Sequence, residues 1–187
     1  MDLVILLLEQ DKFYCDQLQL RFQSNSNTTM CSRLVTAVVD RYNRMGSDVF
    51  CCTMDLSKAF DMVKWDNLFK ELLDRGVSAL YLRALLHVYR NQSCIVSYNG
   101  FDSYSFNVTN GVRQGAVSSP LLFSIYINKL FDILRTSGLG CRIANVFYGC
   151  FEYADHLLLL SSSRSGLQAM VVKMFKDHET KRLKVQY

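Results

Sequence analysis

The stretch FEYADHLLLL, residues 151–160, places an acid and a histidine at the centre of an otherwise apolar run. Residues 143–151 and 157–160 are rich in side chains that favour β-strands, so this stretch predicts a β-hairpin with Asp155 and His156 at its tip. The tip is either a catalytic turn with one altered residue or an ordinary turn in an apolar hairpin.

A second acid ends another apolar run. Residues 48–56, DVFCCTMDL, are dense in β-forming residues and predict a buried strand with Asp55 near its end. Neighbouring strands could bring Asp55 and Asp155 together, and paired carboxylates can bind the two divalent metal ions that stabilise phosphoryl transfer. For either acid alone, an ordinary turn residue at a strand end is the commoner role.

The rest of the chain predicts alternating helices and hairpins. Asn99-Gly100 separates two short alternating runs and predicts a hairpin, whereas residues 110–120 form a Gly- and Ser-rich loop. Apolar residues recur at helical spacing in residues 30–44, 63–73, 79–91, 121–135 and 165–177.

Composition sets limits on the class of protein. The 187 residues are 50% hydrophobic with a single proline, which indicates one globular unit, and the net charge of +4 tolerates a polyanionic partner without identifying one. Seven scattered cysteines without a Cys-x-x-Cys pair favour buried free thiols over disulfides or zinc. The apolar residues 4–8 are too few for a membrane helix, which needs about 20, so we expect no membrane association and an intracellular location, in cytoplasm or nucleus.

Three motifs resemble the reverse transcriptases of non-LTR retrotransposons, in family order and spacing. Residues 53–69, TMDLSKAFDMVKWDNLF, are similar to the first catalytic motif, and residues 110–130, NGVRQGAVSSPLLFSIYINKL, are similar to the Gln-Gly loop motif. FEYADHLLLL is similar to the Tyr-Ala-Asp-Asp hairpin. The resemblance implies an α+β fold, a reverse-transcriptase-like palm whose antiparallel sheet packs on helices, with partial fingers and no thumb. It divides the chain into a finger remnant, residues 1–29, and a palm-like domain, residues 30–187.

The resemblance also implies a metal site. Asp55 and Asp155 would bind two Mg²⁺ ions, assisted by the backbone carbonyl of Leu56. Phe60, five residues after Asp55, would be the aromatic gate that rejects a ribose 2′-hydroxyl. Without the motif, Phe60 would be interpreted as a core residue beside Trp65 and Phe69.

The implied partners are an RNA template, a DNA primer and deoxynucleoside triphosphates. Gln114 and Gly115 would line the incoming nucleotide, although Gln-Gly by itself is typical of a simple turn. Arg113 would meet a phosphate or remain solvated, and Lys184 occupies roughly the place of a basic residue in the next motif.

The chain departs from the family pattern at two places in the hairpin. His156 stands where the family has a second aspartate, which removes a negative charge beside the metals and shifts preference from magnesium toward softer metals. Glu152 stands where a small residue is usual. It is disfavoured as a replacement ligand because residues 152 and 155 face opposite sides of a regular strand.

The resemblance implies a two-metal RNA-directed DNA polymerase domain. We expect no meaningful activity from this chain alone, because finger strands, primer grip and thumb are not recognised in it. The alternative is a catalytically dead retrotransposon remnant with at most weak nucleic-acid binding. A third reading is a partner of an intact polymerase that assembles through exposed apolar surface.

Overall fold

The structure is a computed structural model that describes residues 16, 18–19, 28–56, 58, 60–153, 156–177 and 184–185. For residues 28, 153, 176–177 and 184–185 it describes the backbone alone. Asp155, one of the two predicted metal ligands, lies outside the described residues.

The described helices occupy the segments where apolar residues recur at helical spacing. They are α1 (Thr28–Arg44), α2 (Trp65–Asp74), α3 (Ala79–Arg90), α4 (Ser119–Thr136) and α5 (Arg164–Asp177). Each of the five helix predictions is confirmed to within two residues at either end. None of these helices is long and apolar enough to cross a membrane.

The strands are short, and all of them pair in antiparallel fashion. They are β1 (Phe50–Asp55), β2 (Ser93–Cys94), β3 (Ser97–Tyr98), β4 (Phe101–Asp102), β5 (Phe106–Asn107), β6 (Arg142–Ile143), β7 (Val146–Phe147), β8 (Cys150–Tyr153), β9 (His156–Ser161) and β10 (Lys184–Val185). Helices and antiparallel sheets thus make up the described chain, as the α+β prediction requires. The hairpin predicted around Asn99-Gly100 is also confirmed, because β3 and β4 pair across that turn.

The chain divides into two compact units. The first contains Phe60–Tyr126, and the second contains Cys15–Ala59 together with Ile127–Tyr187. Helix α4 contributes residues 119–126 to the first unit and residues 127–136 to the second.

A four-stranded sheet organises the second unit, in the order β10-β1-β9-β8. Its buried face carries Met54 of β1 and Leu157 and Leu159 of β9, all at 0% exposure. Helix α5 packs on β1 and β9. The sheet therefore places the end of β1 beside the start of β9, where the predicted catalytic hairpin turns.

The first unit is built around the contacts of Tyr89 in α3. The rings of Trp65 and Phe69 in α2 meet the Tyr89 ring edge-on, at centroid distances of 5.4 and 6.0 Å. Helix α2 also buries Leu68 and Leu72. These contacts fix α2 against α3 and, as shown below, support the Gln-Gly loop.

Residues 143–151 do not form the single strand that the sequence predicted. Ala144 and Asn145 adopt left-handed conformations, with φ of 47° and 66°, and they turn the chain between β6 and β7. Two consecutive left-handed residues form the tight turn of a two-residue hairpin loop, which Ala-Asn signals less clearly than Asn-Gly. The strand that enters the catalytic hairpin therefore begins only at Cys150.

The prediction of buried cysteines is correct for part of the chain only. All the described cysteines are free thiols, and Cys141 and Cys150 are buried. Cys51 and Cys94 are exposed instead, because Cys51 lies on the open side of β1 and Cys94 lies in the exposed hairpin of the first unit.

Candidate active site

Asp55 and His156 meet across two paired strands of the second unit. Strand β1 pairs with β9 so that Asp55 is directly opposite His156, and His156 in turn pairs with Tyr153 of β8. Side chains of direct cross-strand partners lie on the same face, with Cβ atoms ~4.5–5.5 Å apart. Asp55 is half-buried and His156 is exposed, so this face is open to solvent. The approach of Asp155 to Asp55 stays a prediction, since Asp155 is outside the described residues.

Glu152 lies on the opposite face of the sheet from Asp55. It pairs with Leu157, which pairs with Met54, and all three side chains are buried. Because adjacent residues in a strand alternate faces, this row points away from the row of Asp55 and His156. Glu152 is therefore not positioned to replace the missing carboxylate.

Two further predicted site residues adjoin Asp55. Leu56 follows β1 directly and is 4% exposed. The backbone of Lys184 pairs with Asp55 on the side of β1 away from β9. The end of β1 is thus held on both sides by backbone pairing, while the metal role of the Leu56 carbonyl stays a prediction.

Asp55 and His156 are the potential metal donors that the structure describes at this end of the sheet. Among the described residues, no group of three or more His, Cys, Asp or Glu side chains could hold a metal ion. Asp55 offers a carboxylate, which suits magnesium, and His156 offers an imidazole, which suits softer transition metals. This donor pair fits magnesium less well than two carboxylates would.

Phe60 lies in the first unit, where its ring is supported by Phe123. The two rings stack at a centroid distance of 4.9 Å and an interplanar angle of 28°. Phe123 is 2% exposed, whereas Phe60 is half-buried. The rings of Trp65 and Phe69, which the core alternative placed beside Phe60, both contact Tyr89, and the core role of Phe60 stays an open alternative.

The start of the Gln-Gly loop is attached to the segment around Phe60. Gly111 donates its N–H to the Val63 carbonyl, and Val112 donates to the Phe60 carbonyl, both at 2.8 Å. The Trp65 indole donates to the Gly111 carbonyl at 2.8 Å. Three hydrogen bonds therefore fix where the loop begins.

Gly111 is a positioning residue that sequence reasoning missed. Its φ is +91°, and a β-carbon there would lie 3.0 Å from the Asp61 Cα and 3.1 Å from the Phe60 carbonyl oxygen. Both the conformation and the close approach require glycine. The Asn-Gly step at residues 110–111 is the signal in the sequence that could have identified it.

The far end of the loop is held by Ser119 and Tyr89. The Ser119 hydroxyl donates to the Arg113 carbonyl at 2.5 Å. Burial raises the pKa of the Tyr89 phenol, and hydrogen bonds to Ser119 and to the Arg113 backbone partly oppose that rise. Sequence reasoning missed the contacts of Tyr89 with this loop.

Gln114 and Gly115 lie on the exposed part of this loop. The Gln114 amide donates to the Asp61 carboxylate at 3.0 Å, and Gly115 has a φ of +83° with nothing within 4 Å of an added β-carbon. Gln114 also lines a pocket of ≈ 740 Å³ that lies within the first unit, a size in the range of small-molecule sites. The lining includes the polar side chains of Asp61, His87, Asn91, Gln92 and Arg113.

Comparison with known sequences identifies what the chain is similar to. Residues 3–187 match the sequence model of the family described as reverse transcriptase (RNA-dependent DNA polymerase). The chain is 26% identical over 140 residues to the Pol polyprotein of the type-2 retrotransposable element R2DM of Drosophila melanogaster, covering 75% of this chain and 13% of that protein. It is also 26% identical over 141 residues to the Pol polyprotein of the type-1 element R2 of Nasonia vitripennis, covering 75% of this chain and 14% of that protein.

A solved structure of apo telomerase from Candida tropicalis, truncated from its C-terminal domain, has a similar fold. The TM-score is 0.64 at 15% identity, and the match covers 98% of this chain and 40% of that one. At this identity the likeness concerns the fold alone.

Proposed function

The chain belongs to the reverse transcriptase family as a domain of the non-LTR retrotransposon type, and from this premise we propose that it is the palm of an RNA-directed DNA polymerase. The observation that carries the proposal is the pairing of Asp55 with His156, which sets the first catalytic motif beside the hairpin motif. The chain spans only 13–14% of the two R2 polyproteins, so the activity, substrates and partners of a complete polymerase are part of the proposal. The proposal also divides the chain into a finger remnant, residues 1–29, and a palm, residues 30–187.

Asp55 and Asp155 are the proposed ligands of two Mg²⁺ ions, with the Leu56 carbonyl as a further oxygen donor. The solvent-open face of Asp55 supports this assignment. When bound there, the metal ions would supply positive charge to the attacking 3′-oxygen and the leaving phosphate oxygen. The chain itself contributes the fixed strand end that holds the Asp55 carboxylate in place.

Phe60, Gln114 and Gly115 are the proposed contacts of the incoming deoxynucleotide. The Phe60 ring is supported by Phe123, so it can occupy the space of a 2′-hydroxyl without offering it a hydrogen bond. The Gln114 amide borders a pocket of ≈ 740 Å³, and Gly115 leaves the backbone uncovered for close approach.

The proposal is tested by binding, because we expect no meaningful primer extension from this chain alone. Fluorescent deoxynucleotide is titrated into protein bound to an RNA template and DNA primer, with Mg²⁺ or Mn²⁺. We expect metal-dependent binding that Asp55→Ala weakens at least about tenfold, with the exposed Asp48→Ala as a control that leaves binding unchanged. Equal metal dependence in wild type and Asp55→Ala would refute the metal site. Processive extension that Asp55→Ala abolishes would refute the expected inactivity.

The second candidate function is that of an inactive remnant that binds nucleic acid weakly. The exposed imidazole of His156, opposite Asp55 where the family has a carboxylate, favours it. Affinity for the primer and template should then fall steeply with salt, since phosphate contacts release counterions, but show no dependence on metal or on Asp55. Binding that is absent, or that persists at high salt, would count against a retained template groove.

A further inference from the structure

A cluster of buried polar side chains lies in the second unit behind the catalytic hairpin. Asp16, Gln19, Asn128 and Glu152 are between 1% and 7% exposed. Buried polar groups cost free energy unless their hydrogen bonds are made in one defined arrangement. Such a cluster therefore fixes the relative positions of the elements that contribute to it.

Asn128 of α4 is the centre of this cluster. Its Oδ1 accepts hydrogen bonds from the Asp16 backbone N–H at 2.8 Å and from the Gln19 amide at 3.4 Å. Its Nδ2 donates to the Asp132 carboxylate at 3.2 Å, one helical turn onward. One side chain thus connects α4 to residues more than a hundred positions earlier in the chain.

Asp16, Leu18 and Gln19, here called the edge segment, attach in turn to strand β8. The Asp16 carboxylate accepts the Leu18 N–H at 2.9 Å, which turns the segment on itself. The Leu18 carbonyl then accepts the Glu152 N–H at 3.0 Å, and Gln19 forms a parallel bridge with Glu152. Because β8 ends the four-stranded order, the edge segment covers a strand edge that would otherwise be open.

Strand β8 ends at Tyr153, two residues before Asp155 in the sequence. Its last residue, Tyr153, pairs with His156, and Glu152 is the residue before it. A strand held by β9 on one side and by the edge segment on the other has less freedom to shift than an edge strand held on one side.

We propose that Asn128 is a positioning residue for the catalytic hairpin: it holds the edge segment so that β8 stays fixed at Glu152. This rests on the proposed function, because it gives Asn128 a role in presenting the hairpin acid. A leucine at this buried helix position would pack without hydrogen-bond requirements. The polar side chain is explained by the contacts that it makes to the edge segment.

Amide hydrogen exchange on the whole chain tests the proposal without requiring activity. Asn128→Leu keeps the size of the side chain and removes its acceptor and donor, while Gln19→Met removes the weaker bond and serves as a milder variant if Asn128→Leu folds poorly. Asp132→Asn is the matched control, because Asp132 accepts the hydrogen bond from Asn128 Nδ2 and lies one helical turn onward in α4. We expect exchange at the Glu152 amide to accelerate about tenfold or more in Asn128→Leu, less in Gln19→Met, and not in Asp132→Asn.

The Leu160 amide provides an internal reference. It donates to the carbonyl of Gly149, the residue before β8, at 2.9 Å, and so lies at the end of the β8–β9 pair away from Tyr153 and His156. Acceleration at Glu152 with unchanged exchange at Leu160 supports the proposal. Equal acceleration at both amides means that the variant loosens the whole sheet, and unchanged exchange at Glu152 in both variants means that Asn128 does not hold β8; either result overturns the proposal.

Binding of Mn²⁺, followed by electron paramagnetic resonance at a temperature where every variant is folded, tests the link to the metal site. Asn128→Leu should weaken Mn²⁺ binding several-fold, and Asp132→Asn should not. Unchanged Mn²⁺ affinity despite a loosened Glu152 amide would overturn the role in positioning. If wild type and Asp55→Ala bind Mn²⁺ alike, the proposed metal function fails, and the exchange data still decide whether Asn128 holds β8.

Discussion

Asp55 and His156 are direct cross-strand partners at the end of the sheet in the second unit. The residue that replaces the second acid of the family motif therefore lies on the same face as the retained acid of the first motif. Any cation at Asp55 has the imidazole of His156 as a neighbour, so the identity of residue 156 bears directly on metal affinity.

Restoring the acid should strengthen metal binding. His156→Asp adds a negative charge beside a cation bound at Asp55. At ~4 Å and an effective dielectric of ~20, this charge attracts the cation by about 4 kcal/mol per unit of cation charge. Because His156 is exposed, solvent screening reduces this, and we expect Mn²⁺ affinity to rise about ten- to a hundredfold. His156→Asn, which removes the imidazole without adding charge, is the control; equal affinity in both variants would show that charge is not the cause.

Gly111 should be the least replaceable glycine of the first unit. Gly111→Ala combines a left-handed backbone with a β-carbon 3.0 Å from the Asp61 Cα, so we expect the free energy of unfolding to fall by ~2–4 kcal/mol. Gly76→Ala has a similar φ of +80° but no atom within 4 Å, and it should cost only ~1 kcal/mol. Denaturation followed by the fluorescence of Trp65, the only tryptophan, measures both. Equal losses would mean that the close approach to Asp61 is not limiting.

The ion pair between Asp16 and Arg135 should respond unequally to removal of its two members. The Asp16 side chain is 2% exposed and that of Arg135 is 42% exposed. Arg135→Met leaves a buried carboxylate without this cation, and we expect a loss of ~2–3 kcal/mol in the free energy of unfolding. Asp16→Asn keeps an oxygen that can accept the Leu18 N–H and leaves the partly exposed Arg135 to solvent, so it should cost less. Urea denaturation followed by circular dichroism compares them, and a larger loss for Asp16→Asn would contradict this account.

The sequence predicted those elements whose cause is local. Helical spacing identified α1 to α5, and Asn99-Gly100 identified the turn between β3 and β4. The family resemblance, confirmed by the match over residues 3–187, came from motif residues that are close in sequence. The single strand predicted over residues 143–151 was wrong, because the left-handed Ala-Asn turn that divides it has only a weak local signal.

The contacts that support the candidate site were not predictable in the same way. Tyr89 holds the Gln-Gly loop and Asn128 holds the edge segment, and both act through residues distant in sequence. A buried tyrosine or asparagine on an apolar helix face is visible in the sequence, but its partners are known only once the chain has folded. The predicted roles of Asp55, Asp155, Leu56, Phe60, Gln114 and Gly115 remain predictions.

Stability should decline at alkaline pH through the buried thiols. Burial raises the pKa of Cys141 from 9.0 to about 11, although a hydrogen bond with Tyr42 opposes the shift. Burial, together with the charges of Glu152 and Asp16, raises the pKa of Cys150 well above 9.0. Because the unfolded chain loses these protons first, the thiols favour the folded state fully below pH 9, and this contribution is lost as the pH rises toward the folded pKa values.

The free energy of unfolding should therefore fall by ~1.4 kcal/mol per pH unit for each thiol, beginning near pH 9. For Cys141 the fall should end near pH 11, the pKa in the folded state. Denaturation series at several pH values measure the slope. Cys141→Ala should make the slope shallower, whereas Cys94→Ala, which removes an exposed thiol, should leave the slope unchanged. An identical slope in wild type and Cys141→Ala would show that the Cys141 thiol titrates alike in the folded and unfolded chain.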